Sequence, residues 1–157
     1  MIAPTNTRLQ ALLILHEGLV LHTYRCPAGK LTIGVGHNLE AKPIAGIQEG
    51  SAITKQRALD ILAKDLADVI VEIKQRLPWV EQLNEARQAV IVDMGFNMGV
   101  GGVLKFKSFL ADLQEGSFDS AEMFRSKWAY QVGDGPGKRF DRVDRLARMI
   151  ETGEWIS

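Results

Sequence analysis

Between Thr54 and Pro78 the apolar residues Ala58, Ile61, Leu62, Leu66, Val69, Ile70 and Ile73 recur every three or four positions, the period of one helix face. Thr54 stands where an N-cap belongs. Pro78 closes the pattern because it has no N–H to donate and its ring clashes with the preceding turn. No other stretch keeps one period for so long. A helix over about 54–77 therefore divides the chain, and the two sides differ in character.

Ahead of it, Leu9, Leu12, Leu13 and His16 fall at helical spacing, with N-cap side chains offered over 5–7. This first helix should end near Gly18 and deliver Glu17 in its last turn. From Val20 to Leu39 the pattern becomes alternating, with a turn at Pro27-Ala28-Gly29 and with Gly34 and Gly36 set among Ile33 and Val35, which reads as a small sheet or hairpin. Residues 40–53, with Pro43, Gly46 and Gly50, read as a connecting loop. Beyond Pro78 the chain is helical in pieces. They run from Asn84 to Phe96, from Phe106 to Leu113, from Ser120 to Tyr130 and from Arg139 to Glu151, with breaks at "GVGG" (99–102), Gly116 and "GDGPG" (133–137).

The fold class expected is α+β, mainly α. Its two lobes would be a small sheet-bearing lobe over about 15–53 and a larger helical lobe over about 78–157, joined by the long helix. The first helix would pack on the helical lobe. A length of 157 residues suits one domain of this kind, and 46% hydrophobic with 24% charged residues is the balance of a globular protein with a real core. Lys plus Arg equals Asp plus Glu at 19 each, so nothing in the net charge points to nucleic acid. The single cysteine, Cys26, excludes an intramolecular disulfide. The apolar run "ALLIL" is far too short to span a membrane, and no signal peptide is read at the N-terminus.

Chemistry concentrates in "HEGLVLHTYRCPAGKLTIGVGH", residues 16–37, where Glu17, Cys26 and Thr32 are spaced E-x8-C-x5-T. Leu15 and Leu19 flank Glu17, and desolvation by such neighbours would favour the protonated carboxyl that a general acid needs. Protonating a glycosidic oxygen is work of this type. Taken singly, a helix-terminal Glu is usually solvated, a lone Cys is usually a small buried hydrophobe and a strand Thr is usually a strand former. The combination carries the weight.

That segment resembles the active-site segment of the phage-type lysozymes, the endolysins of glycoside hydrolase family 24. Their pattern is a Glu-Gly helix end, a Tyr, an Asp or Cys, a turn and T-I-G-[apolar]-G-H. Further on, "ITKQRALDILAKDL" is similar to the interlobe helix of the T-even phage lysozymes, "MGFNMGVGG" to an element lining their cleft, and "RSKW" and "TGEW" to their C-terminal lobe. The resemblance implies Glu17 as general acid and Thr32 as a residue that holds the attacking water. Cys26 stands where the T-even enzymes carry Asp, as Cys does in other members. A free thiol titrates at about 8.5, so Cys26 needs a local influence to act as a base toward water, the role preferred here over that of a nucleophile. His37 matches a histidine that pairs with a nearby acid, and Phe96 and Asn97 match cleft-lining positions. Arg142 matches an arginine that approaches the catalytic glutamate; a solvated helix face partnered by Asp141 and Asp144 is the plain alternative. His16 and His22 read as helix-end and strand residues.

The implied activity is a muramidase acting on the β-1,4 bond between N-acetylmuramic acid and N-acetylglucosamine in bacterial peptidoglycan. It would need no metal and no cofactor, work as a monomer, bind no nucleic acid and insert into no membrane. The resemblance places such an enzyme in the host cytoplasm until a holin lets it reach the wall. Two other readings remain: a wall-binding relative without turnover, and a Cys-His amidase or peptidase with Cys26 as nucleophile and His37 as base. The latter expects its cysteine at a helix N-terminus. A zinc site finds no recognised ligand spacing among Cys26, His16, His22 and His37.

Overall fold

The computed structural model describes residues 1–125, 128 and 141–157. The remainder of the expected helix over 120–130, the "GDGPG" segment and the helix start at Arg139 lie outside the described residues.

Helix α1 spans Thr7–Glu17. Its N-cap is Asn6, whose side-chain oxygen accepts from the Arg8 and Leu9 amides at 3.0 Å each, satisfying two of the donors a helix start leaves open. Gly18 ends it with φ +81° while its N–H closes on Ile14 at 2.8 Å. Glu17 is thus the last helical residue, as its place in the sequence implied.

Strands β1 (Val20–Arg25), β2 (Leu31–Gly34) and β3 (His37–Asn38) form an antiparallel sheet in the order β1-β2-β3. Tyr24 pairs with Thr32 and Arg25 with Leu31, and the ladder is irregular between Val20 and Tyr24. The turn between β1 and β2 is closed by Cys26 N–H to Lys30 C=O and Gly29 N–H to Cys26 C=O, at 3.0 and 2.7 Å. The loop over 40–53 does more than connect. Its end returns to β1 through Thr23 N–H to Ser51 C=O and Ile53 N–H to Leu21 C=O, at 3.1 and 2.8 Å, with a bridge between His22 and Ala52. This covers an otherwise unpaired strand edge.

Helix α2 spans Lys55–Arg76. Thr54 caps it through the Arg57 amide at 3.1 Å. Ala58, Ile61, Leu62, Leu66, Ile70 and Ile73 are buried as the periodicity required, while Val69 is half-buried. After a 3-10 turn at Pro78–Gln82, α3 spans Glu85–Val103 and buries Ala89, Val90, Ile91, Val92 and Met94 completely. The break expected at "GVGG" is a kink at Gly99 (φ +77°), after which the chain resumes a helical turn to Val103. Helices α4 (Lys107–Gln114), α5 (Ala121–Arg125) and α6 (Asp141–Thr152) follow, and α5 and α6 pack together. The architecture is α+β and mainly helical, with one small antiparallel sheet among the described residues.

The chain divides into two compact units, Ala3–Asp68 and Met1–Ile2 with Val69–Ser157. The division falls inside α2, and α1 belongs with the sheet, whereas the sequence set lobe limits near 53 and 77.

Candidate active site

Glu17, Cys26, Thr32 and His37 all belong to the first unit. Tyr24 shows that the first three share one neighbourhood. Burial raises the Tyr24 phenol above its ordinary value, and next in weight come the negative charges of Glu17 and of Cys26, so the phenol feels both. Tyr24 is also the cross-strand partner of Thr32, which puts the two side chains on one face of the sheet. It was part of the recognised pattern but was not among the expected site residues. Only the ladder register and the folded helix end bring it to Glu17.

Glu17 is half-buried, and a side chain at Gly36 would lie against it. Of the two flanking leucines, Leu15 is 52% exposed and Leu19 is half-buried. What encloses Glu17 is the sheet.

Cys26 is intermediate in exposure and sits in the turn after β1, not at a helix N-terminus. Its thiol is held below the ordinary thiol value, first by a hydrogen bond from the Lys30 backbone, then by Ala28, Thr32 and its own backbone, with burial opposing. The turn therefore supplies the influence that the sequence left open. Polar backbone groups near a thiol favour its charged form. Thr32 is 4% exposed, and its hydroxyl donates to the Lys30 carbonyl at 2.9 Å. One backbone residue, Lys30, organises both side chains.

His37 is 5% exposed. Its Nδ1 lies 2.6 Å from Asp65 Oδ2 and its Nε2 lies 2.8 Å from the Lys42 carbonyl. The Lys42 carbonyl can only accept, so Nε2 carries a proton, while the Asp65 carboxyl faces Nδ1. The Asp65 hydrogen bond raises His37 above its ordinary value, burial opposes this, and the Lys42 carbonyl adds to the rise. Asp65, on α2, was not foreseen by residue; the resemblance signalled only that an acid would be near. The pair lines a cavity of about 420 Å³ formed by one face of α2 and the loop over 42–44, with Lys42, Arg57, Asp60 and Lys64 around it. Glu17, Cys26 and Thr32 do not line that cavity.

Phe96, Asn97 and Arg142 belong to the second unit. Phe96 is half-buried, and Asn97 is exposed just before the Gly99 kink. The Asn97 side-chain oxygen accepts from Trp128 Nε1 at 2.6 Å, which assigns the amide oxygen and leaves the NH2 group able to donate elsewhere. Trp128 in turn packs edge-on against Phe106. Arg142 is not on a solvated face: it is 6% exposed, and its Nε donates at 3.0 Å to Asp93, which is fully buried on α3. This overturns the alternative of exposed pairing with Asp141 and Asp144. Sequence spacing missed Asp93 because the two partners are far apart in the chain.

Residues 15–144 match the phage lysozyme family. The chain belongs to that family. A pre-baseplate central spike protein, Gp5, of Enterobacteria phage T4 is 29% identical over 168 residues, covering 94% of this chain and 28% of that protein. The chain thus spans under a third of that relative's length. A probable T4-type lysozyme 1 of Dictyostelium discoideum is 30% identical over 159 residues, 87% of this chain and 89% of the relative. An endolysin of Acyrthosiphon pisum secondary endosymbiont phage 1 is 27% identical over 114 residues, 73% and 72% of the two chains. The segment 16–37, with Glu17-Gly18, Cys26 and the T-I-G-V-G-H run over 32–37, lies inside the matched residues.

Proposed function

We propose that this phage lysozyme family member is a cell-wall hydrolase, and specifically a muramidase cutting the β-1,4 bond between N-acetylmuramic acid and N-acetylglucosamine in peptidoglycan. The observation that carries the reading is the shared neighbourhood of Glu17, Tyr24, Cys26 and Thr32, with the thiol held below its ordinary value by the turn that follows it. Glu17 acts as general acid: its proton goes to the leaving glycosidic oxygen as the bond to C1 breaks. A water held by Thr32 attacks C1 from the opposite face and gives its proton to the Cys26 thiolate. Proton exchange with solvent then restores both groups. Neither a metal nor a cofactor enters this scheme.

Asn97 suits an N-acetyl group through its NH2 donor, with the half-buried Phe96 next to it in the chain. Arg142 is proposed to act near the substrate, oriented by its bond to Asp93. His37 orders the sheet end through Asp65. The holin-dependent route from the host cytoplasm to the wall, and the monomeric state, belong to this proposal too, as does the two-lobe division with α2 as connector.

The Cys-His alternative is disfavoured because both His37 nitrogens are committed to Asp65 and the Lys42 carbonyl, leaving none to serve as base for Cys26. The binding-only alternative expects wall binding with no released fragments from wild type. The test is wall digestion by wild type, Glu17→Gln, Cys26→Ser and Cys26→Asp, with mass analysis of fragments. The expected result is reducing N-acetylmuramic acid ends from wild type and Cys26→Asp, and none from Glu17→Gln. Release of peptides instead of reducing ends overturns the reading.

A further inference from the structure

We infer that Gly36 is a positioning residue for the Glu17 carboxylate, whose place against the sheet depends on there being no side chain at position 36. The inference rests on the general-acid role proposed for Glu17. It concerns a residue that takes no part in bond making.

Gly36 lies in the tight connection between β2 and β3 with φ +62°. A Cβ there would stand 3.2 Å from Glu17 Oε2, 3.4 Å from its Cβ and 3.5 Å from its Cδ. Three atoms of one side chain at that range mean that the Glu17 side chain lies along the bare face of the glycine. A methyl group at 36 requires a few tenths of an ångström of movement. The backbone of α1 is held at this end by the Gly18 to Ile14 hydrogen bond, so the flexible carboxylate end is the part that yields. A general acid must lie within hydrogen-bond reach of the oxygen it protonates, so a displacement of that size acts on the chemical step.

Gly34 separates this effect from backbone strain. Its φ of +68° is nearly that of Gly36, yet a Cβ there meets only Ala58 Cβ at 3.7 Å, Ala58 Cα at 3.9 Å and Ile53 Cδ1 at 4.0 Å, which are ordinary contacts. Alanine at either position incurs the left-handed strain. Only alanine at 36 crowds the acid.

The experiment measures initial rates of reducing-end release from soluble linear peptidoglycan, over a range of substrate concentration, together with thermal melts. The proteins are wild type, Glu17→Gln, Gly34→Ala, Gly36→Ala and Gly36→Asn. Both alanine variants are expected to melt at lower temperature by similar amounts. Gly36→Ala should lose about tenfold in kcat with KM unchanged, since a misplacement of a full ångström costs about a hundredfold, while Gly34→Ala keeps its kcat. Gly36→Asn, whose side chain tolerates positive φ, should regain melting temperature without regaining kcat. Wild-type kcat in Gly36→Ala or Gly36→Asn, an equal loss in Gly34→Ala, or a change confined to KM overturns the inference and leaves the general acid standing. Activity persisting in Glu17→Gln, or no reducing ends from wild type, overturns the general-acid reading and the inference with it.

Discussion

His37 and Asp65 make the buried ion pair of the first unit, 2.6 Å apart, with the ring's second nitrogen on the Lys42 carbonyl. Because His37 is raised in the folded state, its contribution to stability is fully present below the unfolded histidine value of about 6.5 and is lost as pH rises through the higher folded value. Asp65→Asn should therefore cost on the order of 3 kcal/mol near pH 5.5. Denaturant titrations at a series of pH values should find the gap from wild type narrowing above neutrality; a constant gap would contradict the linkage. At Cys26 the donors of the turn act in the opposite sense. Alkylation by iodoacetamide should show a midpoint below that of a free thiol. Thr32→Val, which removes the hydroxyl that helps hold the thiol low, should move the midpoint up.

At the scale of elements, α3 combines a packed half with a kinked end. A Cβ at Gly95 would come within 2.9 Å of Val69 Cγ1 on α2, so Gly95→Ala should destabilise by about 1–3 kcal/mol through overpacking. Gly101, in the helical turn after the kink, has open space around it and no positive φ. Gly101→Ala should stabilise by about 0.5–1 kcal/mol, and urea melts of the two variants should diverge in sign. Between α3 and α6 the Arg142–Asp93 pair is buried on both sides. Asp93→Ala should cost about 3 kcal/mol by leaving a guanidinium buried without that carboxylate, and Asp93→Leu combined with Arg142→Met should recover part of the loss in the same melts.

At the scale of the molecule, stability is distributed unevenly. The run from Ala89 to Val92 is completely buried, so its amides should exchange with deuterium only through global opening. The turn over 26–30 is mostly exposed, and its amides should exchange orders of magnitude sooner. Exchange mapped by mass spectrometry checks this, and fast exchange across 89–92 would show that α3 is not the centre of the second unit. The division inside α2 means that one continuous helix contributes its first turns to the sheet-bearing unit and its last to the helical one.

Periodicity and punctuation are local properties, and they were readable without the fold. The buried face of α2, the stop at Pro78, the helix end that presents Glu17 and the turn after Cys26 each follow from residues within a few positions of one another. The E-x8-C-x5-T segment and the phage lysozyme resemblance were legible for the same reason, since one short span carries them. What the tertiary structure alone decided involves partners distant in sequence. Asp65 on His37, Asp93 on Arg142, Trp128 on Asn97, Tyr24 beside Glu17 and the bare face of Gly36 under the same carboxylate all depend on chain segments meeting after folding. The exposure of Leu15 belongs with them. A helix-end residue has apolar neighbours in sequence on every side of the helix, and only packing selects which side is dry.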